Sequence, residues 1–146
     1  MLSEKMRQQI ITEANKLLGV PFHHASNSSL GMDCRGFVWL VYHRVGIELP
    51  TCDGRSYTAD WWKHTKEERL LETFLKVFKY TKEPKMGDTL LFRIFSLNVP
   101  VNHCGIYIND ETFIHCFSDK ASRGVHPQNF DHKWHRRFIT FLTYKG

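Results

Sequence analysis

Apolar residues recur at helical spacing in the first half of this chain and alternate at strand spacing in the second. That segregation constrains the fold more than any single residue does. Helices followed by strands point to an α+β domain with an antiparallel sheet, not to alternating βαβ units. Ser3 is placed to cap a helix over residues 3–18, with Met6, Ile10, Ala14 and Leu17 on one face and Gly19 and Pro21 ending it. A second helix is predicted over 34–45; Phe37, Val38, Leu40, Val41 and Tyr42 make it apolar around most of its girth, and Gly46 closes it. A short helix over 57–62 and an amphipathic one over 67–79 follow. Strands are predicted over 89–95, 102–108, 112–117 and 138–144. Residues 22–32 and 122–129 read as loops, and Asp53-Gly54 and the segment 98–100 as turns.

With 146 residues the chain is long enough for one domain, 1–146, with its own core. No stretch approaches the roughly 18 apolar residues of a membrane span. The start, Met1-Leu2-Ser3-Glu4-Lys5-Met6-Arg7, has no apolar core of a signal peptide, so synthesis in the cytoplasm is expected. The four cysteines show no paired spacing, and without a signal peptide a reducing compartment is the expectation rather than disulfides. A net charge of +5 favours acidic partners such as an anionic cell-wall polymer. The charge is scattered, and the one cluster, His132-Lys133-Trp134-His135-Arg136-Arg137, reads as a solvated basic edge; nucleic acid is not expected as a partner.

Chemistry concentrates at three residues. Cys34 stands where a turn gives way to a helix, and the first helical turn offers unpaired N–H groups and a positive dipole end that favour a thiolate. Two His-Cys pairs, His103-Cys104 and His115-Cys116, fall on the two central strands. By strand parity Cys104, Ile106, Ile108, Ile114 and Cys116 share one face, and His103, Gly105, Tyr107, Phe113, His115 and Phe117 share the other. A three-residue connection keeps the sets in phase, making His103 and His115 diagonal neighbours roughly 7 Å apart. Gly105 leaves room between them. The helix beginning at Cys34 is expected to pack over the histidine face. His103 would then take the thiol proton as general base, His115 would orient that ring, and the Cys34 N–H would meet the oxyanion.

The simpler readings dispose of the remaining candidates. Cys52, Cys104 and Cys116 read as packing, since a free cysteine behaves as a small hydrophobe. No metal site is expected, because adjacent strand residues face opposite ways and four ligands cannot converge from the two His-Cys pairs. No cofactor is implied. His23-His24 and His43 read as loop and helix-surface residues, and Trp61-Trp62 as core aromatics rather than a sugar platform.

With these residues in place, the chain resembles the NlpC family of papain-like cell-wall cysteine peptidases. The resemblance runs through Gly19-Val20-Pro21-Phe22, Asp33-Cys34-Arg35-Gly36, Met86-Gly87-Asp88, His103-Cys104-Gly105-Ile106-Tyr107 and Phe113-Ile114-His115. These look like the family's G-x-P-Y, D-C-S-G, P-G-D, H-x-G-I-Y and I-H-A blocks, and they cover nearly the whole chain. The resemblance implies a papain-like α+β fold, with Cys34 as nucleophile, His103 as base and His115 as third residue. It also implies hydrolysis of an amide bond in peptidoglycan stem peptides, such as that between D-glutamate and a diamino acid. Leu91-Phe92-Arg93 and Trp134-His135-Arg136-Arg137-Phe138 look closest to stand-alone members of phage tails and gene-transfer-agent particles. That likeness implies tail-tip proteins as partners and action in the cell wall.

Two positions depart from the family's pattern. Phe22 stands where relatives carry a tyrosine hydroxyl, and Arg35 replaces the small serine that helps read a free amino terminus. Both alter the expected substrate site, to which Asp33 also belongs unless it merely caps the helix. The alternatives are a papain-like amidase or acyltransferase on another substrate, or a catalytically weak structural tail component.

Overall fold

A computed structural model describes residues 1–50, 54–118 and 123–146. Cys52 and Asp53 lie outside the described residues. Helix α1 (Glu4–Lys16) starts at Ser3, whose hydroxyl accepts from the Met6 N–H at 3.1 Å. A small hairpin, β1 (Asn27–Ser28) and β2 (Gly31–Met32), occupies part of the expected loop. Helix α2 (Cys34–Arg44) follows directly, then a 3-10 turn at Trp61–Lys63 and a short α3 (Arg69–Leu75). The sheet is built from β3 (Phe78–Thr81), β4 (Thr89–Phe92), β5 (His103–Asn109), β6 (Thr112–Ser118), β7 (Arg123–Asn129) and, beyond α4 (His132–Arg137), β8 (Phe138–Tyr144). Its order is β3-β8-β4-β5-β6-β7, antiparallel throughout, which makes the fold α+β.

Besides the small hairpin, two strands of the large sheet stand where the sequence reading had none. The helix expected over 67–79 ends at Leu75, and Phe78–Thr81 pairs with β8 instead. Aromatic and β-branched residues at 77–81 suit a pleated edge, and Phe78 packs edge-on to Tyr42 and Tyr144. The expected loop over 122–129 is, from Arg123 onward, strand β7, paired residue for residue with β6. Its polarity misled because β7 is a sheet edge: Pro127 is tolerated there and Val125 is its one described buried hydrophobic.

The sheet buries both faces. Phe37, Val38, Val41 and Tyr42 of α2 pack on Leu91, Cys104, Ile106, Ile114 and Cys116. The opposite face carries Leu90, Phe92, Tyr107, Phe113 and Phe117 under Phe130 and Trp134. The parity sets are therefore as read, but their covers are exchanged. Helix α2 lies on the cysteine face, and the histidine face is closed by Trp134 of α4. The cluster read as a basic edge is this helix, capped by Asp131, whose carboxylate accepts from the Trp134 N–H at 3.2 Å. Its cationic residues stay outside while the indole, 3% exposed, closes the core.

Candidate functional site

The start of α2 is built by close packing. Asp33 caps the helix through the Gly36 N–H at 2.7 Å. Its other oxygen accepts from the Ala25 N–H at 3.1 Å and from the Tyr57 hydroxyl. A Cβ at Gly36 would lie 2.0 Å from the Ser26 carbonyl oxygen, so only glycine lets residues 25–27 lie against the first turn. This interlock fixes the direction in which Cys34 leaves the helix.

Cys34 is half-buried and lines two adjoining spaces. One is a cleft of about 230 Å³ bordered by Phe22, Trp61, Trp62, Asn102 and His103. The other, about 60 Å³, reaches Arg35, Tyr57 and Leu70. The thiol pKa is lowered to about 5, first by the neighbouring Cys104 thiol and then by the imidazole and charge of His103, against burial and the Asp33 charge. Cys104 itself is pushed well above the ordinary thiol range by burial and by Cys34, so it stays protonated.

His103 lines the same cleft as Cys34 although it belongs to the other face of the sheet; it is the first residue of β5. Its Nε2 lies 2.7 Å from His115 Nδ1, with the ring centroids 5.0 Å apart. The hairpin keeps the two in phase by an unexpected route. The turn is tighter than assumed, with Asn109 opposite Thr112, and a register shift between Tyr107 and Asn109 restores the parity. A Cβ at Gly105 would stand 3.2 Å from the His115 Cβ, which is the room the pair requires. His115 is fully buried, and burial, with His103 and His126 beside it, holds its pKa well below the usual imidazole range. It is therefore a neutral partner at neutral pH.

Of the other expected site residues, Phe22 is 37% exposed at the cleft and bridges to Met32. Arg35 donates from Nε (3.3 Å) and Nη2 (2.8 Å) to the Tyr57 hydroxyl oxygen, while its buried Nη1 has no partner among the described residues. Tyr57 and His126 were missed in the sequence. Tyr57 lies in a segment without periodicity. His126 lies on the unrecognised β7, 3.1 Å from His115 through Nε2. Trp62 stacks on Phe95 at the cleft mouth. Cys104 and Cys116 lie in the core as expected, although Cys104 also helps lower the Cys34 pKa.

A thiol of depressed pKa at a helix start, an imidazole beside it and a neutral ring behind the imidazole can perform thiol-based acyl transfer. Residues 19–142 match the NlpC/P60 family. The chain belongs to that family. Among relatives of this NlpC/P60 chain, the probable peptidoglycan endopeptidase LytE of Bacillus subtilis (strain 168) is 27% identical over 132 residues. That alignment takes in 90% of this chain and 32% of the relative. A γ-D-glutamyl-L-lysine dipeptidyl-peptidase of Bacillus cereus is 28% identical, over 80% of this chain and 29% of its own length. The chain thus spans about a third of the length of each of these two relatives. In fold it is similar to an NLP/P60-family lipoprotein-like structure from Staphylococcus aureus, with TM-score 0.67 and 23% identity over 98% of this chain and 42% of that one.

Proposed function

We propose that this chain is a cysteine peptidase that hydrolyses an amide bond in the peptide stem of peptidoglycan. The observation that carries the reading is Cys34 at the start of α2 sharing one cleft with His103, whose Nε2 lies 2.7 Å from His115 Nδ1; the lowered pKa of the thiol agrees with it. The Cys34 thiolate attacks the scissile carbonyl carbon, and the resulting oxyanion is met by the Cys34 N–H, which has no acceptor within its own helix. The proton held on His103 passes to the leaving amine as the C–N bond breaks, leaving a thioester. Water then gives a proton to His103 and attacks the thioester; collapse expels the Cys34 thiolate beside the protonated His103 and releases a carboxylic acid. His115 holds the ring of His103 throughout. Membership in the NlpC/P60 family and the wall-acting relatives support the substrate class. The D-glutamyl–diamino acid bond is the expected target. Delivery by a phage or phage-like tail is part of the reading and rests on the likeness at Leu91-Phe92-Arg93 and at 134–138.

Incubation of the purified protein with muropeptides, followed by mass spectrometry, tests this. The expected products differ from substrate by one water across a stem amide, and Cys34→Ala gives none. Intact muropeptides would overturn the substrate assignment. A second reading, amide hydrolysis or acyl transfer on another substrate carrying an anionic group, is favoured by Arg35 lying next to Cys34, with Nη1 unpartnered. Cleavage of an acidic acyl amide with muropeptides untouched would select it.

A further inference from the structure

We propose that His126 is a positioning residue for the thiol chemistry: through His115 it fixes which nitrogen of His103 carries the proton. The inference rests on the Cys34–His103 reading above. The chain of contacts begins at a backbone carbonyl, which can only accept. His126 Nδ1 lies 2.9 Å from the Gly124 carbonyl oxygen, so Nδ1 carries the hydrogen and donates it. In the uncharged ring Nε2 is then an acceptor, and His115 Nε2, 3.1 Å away, must donate to it. His115, held neutral, is left with a bare Nδ1, which accepts from His103 Nε2 at 2.7 Å. The remaining nitrogen of His103, Nδ1, is therefore the one free to receive the Cys34 proton. The same arrangement serves the charged state, since an imidazolium at His103 still finds an acceptor in His115.

The reference carbonyl is held firmly. Gly124 has φ +133°, and a Cβ there would lie 2.2 Å from the Val20 carbonyl oxygen. The neighbouring Val125 exchanges backbone hydrogen bonds with Val20 and Gly19, each 2.9 Å. His126 sits directly opposite His115 in the β6–β7 register, which places the two rings on one face. The titratable and polar groups around His115 are His103 from β5, His126 and Gln128 from β7; Phe113, Phe117 and Trp134 complete the enclosure.

The test reads Cys34 directly, with no wall substrate, so failure to cleave muropeptides leaves it interpretable. Iodoacetamide alkylation of Cys34 is followed against pH in His126→Gln, His126→Phe, His126→Lys and Gln128→Leu, with nitrogen NMR shifts of His103 reporting its tautomer. Gln can still accept from His115, so alkylation stays within about threefold of the parent. Phe removes the acceptor and slows alkylation about tenfold. Lys, a donor only, turns the chain around, places two N–H groups face to face between His115 and charged His103, and slows alkylation about a hundredfold with its onset moved to higher pH. Gln128→Leu leaves the rate within about twofold. Equal losses in the Gln and Phe variants, parent-like behaviour in Lys, or a loss confined to Gln128→Leu would overturn the proposal. Thermal melting of each variant identifies losses that come from unfolding.

Discussion

Two buried polar clusters brace this fold, and only one of them has chemistry to offer. Between α1 and the sheet, Arg7 Nη1 bonds Asp88 at 2.9 Å, and Asp88 also accepts from the Thr143 hydroxyl at 2.7 Å and the Lys85 N–H at 2.8 Å. At the end of β5 lie His103 and His115 beside Cys34. Burial does not separate the clusters: Arg7 and Asp88 are 5% and 1% exposed, His103 and His115 2% and 0%. The difference lies in what is left over. Opposite charges cancel at Arg7–Asp88, and the carboxylate's bonds all run inward. At the histidines every ring nitrogen but one is occupied, and that one shares a cleft with a thiol of lowered pKa. Saturation holds a fold together; a single open valence beside a cavity makes a reactive site.

The largest effect should come from removing the thiol beside that open nitrogen. Cys34→Ala is expected to cut amide hydrolysis by about 10⁴-fold or more while leaving the thermal midpoint close to the parent's, since the thiol is half-buried and braces little. Loss of stability to match the loss of activity would mean the site is as structural as its counterpart. The converse experiment is Arg7→Met, which leaves the Asp88 charge buried and unpaired. Urea unfolding should show a loss of about 3–5 kcal/mol. Alkylation of Cys34 in the folded fraction should keep the parent rate; a fall would show that the two clusters are coupled.

How much of this contrast was legible beforehand depends on how local each signal is. Strand parity is a local property, so Cys34, His103 and His115 could be singled out from spacing, and the capping of α2 by Asp33 could be read from residue type. Which face the helix covers is not local: nothing in alternation says whether α2 or Trp134 closes the histidine side. The edge strand β7 was hidden for the same reason that it is an edge. A strand with one buried hydrophobic among its described residues has almost no apolar pattern to detect, and His126 was hidden with it. The helical period over 67–79 persisted by coincidence into Phe78, where aromatic contact with Tyr42 outweighs propensity.

A smaller but sharper effect concerns pH. With its thiol lowered from 9.0 to about 5, Cys34 is a thiolate across neutral pH and is protonated only as pH falls through that value. Alkylation should therefore be nearly flat above about pH 6 and drop on the acid side, whereas an unperturbed thiol would lose rate already below about pH 8.5. Cys116, pushed up by burial and by the charges of Cys34 and Asp33, should react only slowly over the same range. A Cys34 profile like that of a free thiol would erase the distinction between the two clusters.

The smallest expected change tests which neighbour sets that pKa. Cys104 stands first among the groups that lower Cys34, ahead of His103. A thiol is a weak donor, whereas an imidazolium contributes both a strong N–H bond and a full charge. We therefore expect Cys104→Ala, which leaves a small void in the α2 face of the sheet, to slow alkylation near pH 5.5 only about two- to fivefold and to cost about 1 kcal/mol of stability. His103→Ala should slow it at least ten times more at the same pH. If the two substitutions act equally, the sulfur is held as a thiolate by its fellow cysteine, and the imidazole is left the separate task of moving the proton.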